Sequence, residues 1–149
     1  MDSQAQPEPI ETLVYISSAT QEMSCVGLHA LLTKARANNR AADITGVLLY
    51  AEHSFIQVLE GAPDALDATF ARIQNDPRHK NVLTLVREPI ETRSFSRWTL
   101  GYRGCAETFE DIFDLSRASI ETLVEKGEAH KTLILLRSFF NSCYPRLSA

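Results

Sequence analysis

Gln57 lies inside an apolar run, FIQVLEG, with Phe55 and Ile56 before it and Val58 and Leu59 after it. Its amide carries donors and an acceptor, and burying them without partners costs roughly 1–3 kcal/mol on the protein mutational scale. Either this amide is satisfied inside a core, or it points at a polar ligand lying against a sheet. The other polar residues with a claim to function are Tyr15, Asn38, Asn39, Arg72, Arg78, His79 and Trp98. Each has an ordinary explanation when taken alone. A strand tyrosine is usually core with its hydroxyl at the edge. Paired asparagines after a helix usually form a C-cap and turn. Arg78 and His79 in a turn read as solvated surface, and a single tryptophan in apolar surroundings reads as core. Gln57 fits its ordinary explanation least well.

Familiar enzyme signatures are missing: there is no GxSxG, no Walker loop and no GxGxxG. His29, His53, His79 and His130 lie too far apart in sequence to suggest a metal cluster. Cys25, Cys105 and Cys143 are widely spaced without a CxxC, so neither a zinc site nor a disulfide framework is expected, and reduced thiols in a cytoplasmic protein are. A net charge of −4 gives no reason to expect nucleic acid or an anionic membrane. No apolar run approaches the ~20 residues of a membrane span. The start, MDSQAQPEPIE, has neither a basic n-region nor an apolar h-region, so no secretory signal is expected. Residue types alone support a small ligand-binding α+β domain.

The elements that must position these residues follow from periodicity. The chain has 149 residues, 44% of them apolar and 23% charged, as expected of one globular domain with or without an appendage. Residues 1–10, with Pro7 and Pro9, read as a disordered tail. LVYIS, from Leu13 to Ser17, is the first strand. Ser24 caps a helix whose apolar positions are Leu28, Leu31, Leu32 and Ala35, and which ends near Asn38 and Asn39. Ile44 to Gly61 holds two strands of a hairpin around the polar stretch Ala51 to Ser54. Pro63 opens a second helix with Asp64 and Asp67 near its positive end and Leu66, Phe70 and Ile73 on its apolar face. The turn NDPRH closes that helix. Val82 to Val86 is the fourth strand and Trp98 to Tyr102 the fifth. The order β-α-β-β-α-β-β is that of a ferredoxin-like α+β fold, with helices on one face of an antiparallel or mixed sheet. Beyond it lie a short helix, Glu107 to Leu115, and a longer one, Ile120 to Phe140, interrupted at Gly127. Leu133, Leu136, Phe139 and Phe140 make this last segment too apolar to stand free, so it packs on the open sheet face or on a second subunit. The domain proper is thus 11–103, and 104–149 is a helical cap or output segment.

The string LVYIS, ARANNRAADITGVLLY, FIQVLEG, DPRHKNV and FSRW, in that order, resembles the BLUF family, blue-light receptors that use FAD. The resemblance covers about Leu13 to Arg103 and implies bound FAD between the two helices. By it, Tyr15 matches the tyrosine that hydrogen-bonds the switching glutamine, and Gln57 matches that glutamine. Asn39 matches the asparagine that anchors the flavin ring edge, and Asn38 its neighbour. Leu31 and Ile73 occupy the places of the apolar residues that sandwich the ring. Arg72, Arg78 and His79 fall where basic residues approach the ribityl chain and phosphates, and Trp98 matches the tryptophan of the fifth strand. One position departs from the pattern: Leu100 stands where the family usually has methionine. Leucine lacks the thioether acceptor and repacks less freely, so an altered recovery rate or signal transfer is expected, with the photochemistry intact.

What the resemblance implies is a sensor, not an enzyme. Light drives reversible electron and proton transfer from Tyr15, Gln57 exchanges its hydrogen bonds, and the fifth strand and C-terminal helices pass the change to a downstream signalling protein. A homo-oligomer is expected as well. The alternatives are a light-independent interaction module that retains the fold and a flavoenzyme. Reductant consumption in darkness would mark the flavoenzyme, and no nicotinamide-binding fingerprint is present in the sequence.

Overall fold

The computed structural model describes residues 8–51, 53–96 and 101–103, with residues 132, 134–136, 138 and 139 of the C-terminal part, and only the backbone at 51 and 101–103. Five strands and two helices form the domain: β1 (Ile10–Ala19), α1 (Cys25–Ala41), β2 (Thr45–Ala51), β3 (Ser54–Gly61), α2 (Pro63–Gln74), β4 (His79–Ile90) and β5 (Gly101–Arg103). The sheet order is β4-β1-β3-β2-β5. β1 runs antiparallel to both β3 and β4, β2 antiparallel to β3, and β5 parallel to β2. The expected α+β architecture is what the chain adopts, with a mixed sheet.

Strand alternation divides the core into two layers. On one face Leu13, Tyr15, Leu48, Tyr50, Phe55 and Leu59 meet Leu28, Leu31 and Leu32 of α1 and Leu66 of α2, with Phe70 and Ile73 packed alongside. On the other, Val14, Val47, Leu49, Ile56, Val58 and Val86 enclose Phe95 and Leu136, with Leu135 and Phe139 against them. Leu136 is fully buried there. Of the two places open to the apolar C-terminal segment, these residues therefore occupy the sheet face away from the helices.

Local signals start the helices where expected. Ser24 Oγ accepts from Gly27 N at 3.0 Å, a cap worth about 1 kcal/mol. Pro63 opens α2, with Asp64 in the first turn and Arg72 in the last. The ends differ more. α1 continues to Ala41, so Asn38 and Asn39 are residues of its last turns, not of a turn beyond it, and Ala42 is the C-cap. Ile44 N then donates to the Asn39 carbonyl at 2.8 Å as the chain enters β2. β1 begins at Ile10, the last residue of the expected tail.

β4 is the largest departure. It spans 12 residues where five were expected, because it pairs with β1 from Ile10↔Ile90 to Ala19↔His79. Pairing with β1, not alternation of its own, defines it. As an edge strand it can also include Pro89, whose missing N–H matters least there. His79 is consequently the first residue of a strand. Trp98 and Leu100 lie outside the described residues, as do 104–131. Cys25 is disulfide-bonded, against the expectation of reduced thiols.

Candidate functional site

Between α1 and α2 lies a cleft with about 680 Å3 of empty space, open to solvent. Its floor is three residues adjacent in register across three strands: Tyr15 of β1 opposite Gln57 of β3, and Gln57 opposite Leu48 of β2. Helical spacing builds the walls. Leu31, Lys34, Ala35, Asn38 and Asn39 recur every three or four residues along one face of α1, and Thr69, Arg72 and Ile73 do the same on α2. Asp76, Arg78 and His79, where α2 gives way to β4, close the third side.

Tyr15 is fully buried and its hydroxyl donates to Gln57 Oε1. The Phe70 ring lies 5.5 Å away and the His79 ring 6.5 Å, nearly edge-on. Burial, with a smaller contribution from the Asp76 carboxylate, pushes the phenol far above its ordinary range, so it stays a protonated donor. Gln57 is 5% exposed, and its Oε1 accepts from Tyr15. This is the arrangement its position in an apolar strand left open: the oxygen is engaged within the protein and the nitrogen belongs to a residue lining a cleft.

Asp76 and Arg78 form a fork, with Nε 3.0 Å from Oδ1 and Nη2 2.6 Å from Oδ2. Arg78 holds the Asp76 carboxyl below the ordinary carboxylate range. His79 Nδ1 and Ser17 Oγ are 2.9 Å apart, and its ring packs 4.7 Å from that of Phe55. Neither residue is the freely solvated side chain that a surface turn would give. Burial lowers the His79 pKa from 6.5; Asp76 opposes this and Arg78 adds to it. The unfolded chain therefore binds more protons just below pH 6.5, so stability falls as pH drops through that window. Thermal unfolding between pH 7 and about pH 5.5 should show a shallower pH slope in His79→Gln than in the parent. Equal slopes would remove His79 from the linkage.

Of the residues singled out in the sequence, Tyr15, Leu31, Asn38, Asn39, Gln57, Arg72, Ile73, Arg78 and His79 all line this one cleft. Trp98 lies outside the described residues. Sequence reasoning missed Lys34, Ala35, Leu48, Thr69 and Asp76. The first two share the helical face of Leu31 and Asn38, Thr69 that of Arg72 and Ile73, and Leu48 lies across from Gln57. Those four were recoverable from periodicity and hairpin register. Asp76 carried no such signal, since an acid in a turn is ordinarily solvated.

A family model described as "Sensors of blue-light using FAD" matches residues 10–101. The chain belongs to the BLUF family. The photoactivated adenylate cyclase subunit beta of Euglena longa is 42% identical to this BLUF chain over 92 residues, which is 61% of the chain and 11% of that protein. The chain thus spans about a tenth of the length of such curated relatives. Among solved structures, the dark state of the BLUF protein BlrB is 29% identical with a TM-score of 0.64, covering 85% of this chain and 96% of that one. BlrP1 of Klebsiella pneumoniae, in a manganese/cy-diGMP complex, is 30% identical with a TM-score of 0.69, covering 87% of this chain and 32% of that one. No helix among the described residues is long and apolar enough to cross a membrane.

The cofactor of this family is FAD, and the cleft has the donor set to suit a flavin. A flat heteroaromatic ring needs apolar walls on both faces, and Leu31 of α1 and Ile73 of α2 line the cleft where they could provide them. Its polar edge needs amide partners, and Asn38, Asn39 and Gln57 line the same cleft. Lys34, Arg72 and Arg78 bring cationic groups to the cleft, as a phosphate-bearing chain requires.

Proposed function

We propose that this chain is a blue-light switch in which Tyr15 and Gln57 form the photoactive pair and the C-terminal segment carries the output. The observation that carries this reading is the hydrogen bond from Tyr15 Oη to Gln57 Oε1 in the floor of the cleft. When bound, the flavin supplies a chromophore that absorbs blue light and, once excited, accepts an electron. Tyr15 is the donor. Loss of an electron makes a phenol strongly acidic, and the only described acceptor at its hydroxyl is Gln57 Oε1. The proton would move along that bond to Oε1 while Nε2 gives up one of its own toward the ring that took the electron, so the amide would end as its imidic tautomer, with donor and acceptor ends exchanged, and could then rotate. Return of the electron and proton to Tyr15 restores the dark state, so no substrate is consumed. Leu31 and Ile73 exclude water and so strengthen every polar contact in the cleft. Asn38 and Asn39 orient the ring, while Arg72, Arg78 and His79 hold the ribityl and phosphate chain.

The rearrangement has a route outward. Gln57 faces the cleft, whereas Ile56 and Val58 on either side of it face the cluster that contains Leu136. A shift of β3 therefore bears on the C-terminal residues, and residues 104–149, with β5, hand the signal to a separate protein or to a second copy of the chain. Of the relatives named above, one is a photoactivated adenylate cyclase subunit and another was solved in a manganese/cy-diGMP complex, which supports a signalling role for the output. The purified protein is expected to be yellow and, under blue light, to move its flavin band to longer wavelength and revert in darkness. Absorption spectroscopy decides it: a colourless protein that cannot be loaded with FAD, or a yellow one whose spectrum ignores light, would sink the proposal.

A further inference from the structure

Glu60 is a carboxylate that the switch just described does not use. It lies on β3 three residues beyond Gln57, is 1% exposed, and is directed away from the cleft. Its oxygens accept from the segment that leaves β4. Ser94 N donates to Oε2 at 2.7 Å and Phe95 N to Oε1 at 3.0 Å. Thr45 Oγ1, its cross-strand neighbour on β2, donates to Oε1 at 3.0 Å. Arg93 Nη1 completes the set with donation to Thr45 Oγ1 and to the Glu60 carbonyl, both at 3.1 Å.

The topology gives this cluster its significance. β4 and β5 are opposite edges of the sheet, so the chain between them must cross β1, β3 and β2. Its described part, up to residue 96, lies on the face away from the cleft, where Phe95 is buried beside Val14, Val58 and Leu136. Glu60 fastens that crossover to β3, the strand that carries Gln57. Two backbone N–H groups at a buried site need an acceptor, but a neutral one would serve for folding alone, and an ionised carboxylate is expensive to desolvate. Burial indeed raises the Glu60 carboxyl above its ordinary range, although the surrounding donors favour the ionised form. What a charged acceptor adds is short, directional bonds, which make the crossover and β3 move as one body.

We propose that Glu60 is a positioning residue that couples β3 to the 93–96 crossover, so that rearrangement at Gln57 reaches β5 and the C-terminal residues through this clamp. The inference rests on Gln57 being the switch. It is tested on the flavin-loaded full chain with Glu60→Gln, which keeps the shape but sets an amide donor against an N–H, and with Thr45→Val, which removes one donor. Both variants are expected to keep the full light-induced band shift. Both should lose most of the light-dependent change in amide exchange over 93–96, and their dark recovery should differ at least about threefold from the parent. Should Glu60→Gln fail to fold, Thr45→Val carries the test. Variants that merely unfold at lower temperature, with the parent's recovery rate and exchange response, would overturn the proposal and leave the sensor reading standing. A parent chain without any band shift would overturn the sensor reading and this inference with it.

Discussion

Tyr15→Phe is expected to leave the protein yellow and to abolish its light-induced spectral shift. The substitution removes one oxygen and keeps the ring that packs against Phe70 and His79, so the cleft retains its shape. Two things are lost together. Phenylalanine has no hydroxyl proton to release and is a far poorer electron donor, so the pair cannot react. Gln57 Oε1 also loses the only donor described for it, and an unsatisfied buried acceptor costs about 1–3 kcal/mol. Thermal stability should therefore fall modestly while flavin content stays near that of the parent. Gln57→Ala should silence the response from the other side of the bond, removing the amide that rearranges. Light-minus-dark absorption spectra, taken at matched flavin loading, check both variants. A full-sized shift in Tyr15→Phe would exclude Tyr15 as the donor.

Gly46→Ala is expected to cost about 4 kcal/mol or more, enough to lower the melting temperature by about 10 °C or to prevent accumulation of folded protein. A Cβ at position 46 would sit 1.8 Å from the Val58 carbonyl oxygen and 2.9 Å from its carbon. Both are backbone atoms of the neighbouring strand and cannot rotate away, so β2 and β3 would have to separate beside Gln57. Any folded fraction should consequently retain flavin poorly. Gly61→Ala is the control: its Cβ would lie 3.1 Å from Ile44 Cγ1, part of a side chain that can give way, and the cost should stay below about 2 kcal/mol. Calorimetry with a flavin-release measurement distinguishes the two. Similar stabilities for both variants would refute the argument from backbone approach.

Much of the site was legible because the clues were local. Gln57 was conspicuous as an amide within an apolar strand, and Leu31 and Ile73 fell on apolar helical faces by spacing alone. Their assignment to one cleft, however, came from the order of motifs, since neither 3.6- nor 2-residue periodicity states which faces meet. The paired asparagines show the limit. Their types suggested a turn, yet tertiary packing keeps them helical, and Asn39 is 2% exposed beside the floor of the cleft. β4 shows it again: its exposed edge leaves little alternation to detect, and its full length is set by hydrogen bonds to β1.

By itself, then, the sequence determined which elements form, which side of each is apolar, and which polar residues stand out against that pattern, because these depend on neighbours within a few positions. Tertiary structure alone decided that Asp76 lies where its charge acts on Tyr15, that His79 meets Ser17 and Phe55, and that Glu60 holds the crossover beneath β3. Electrostatic and hydrogen-bond partners are chosen by distance in space, and strands that come together from remote parts of the chain leave no periodic trace of that proximity.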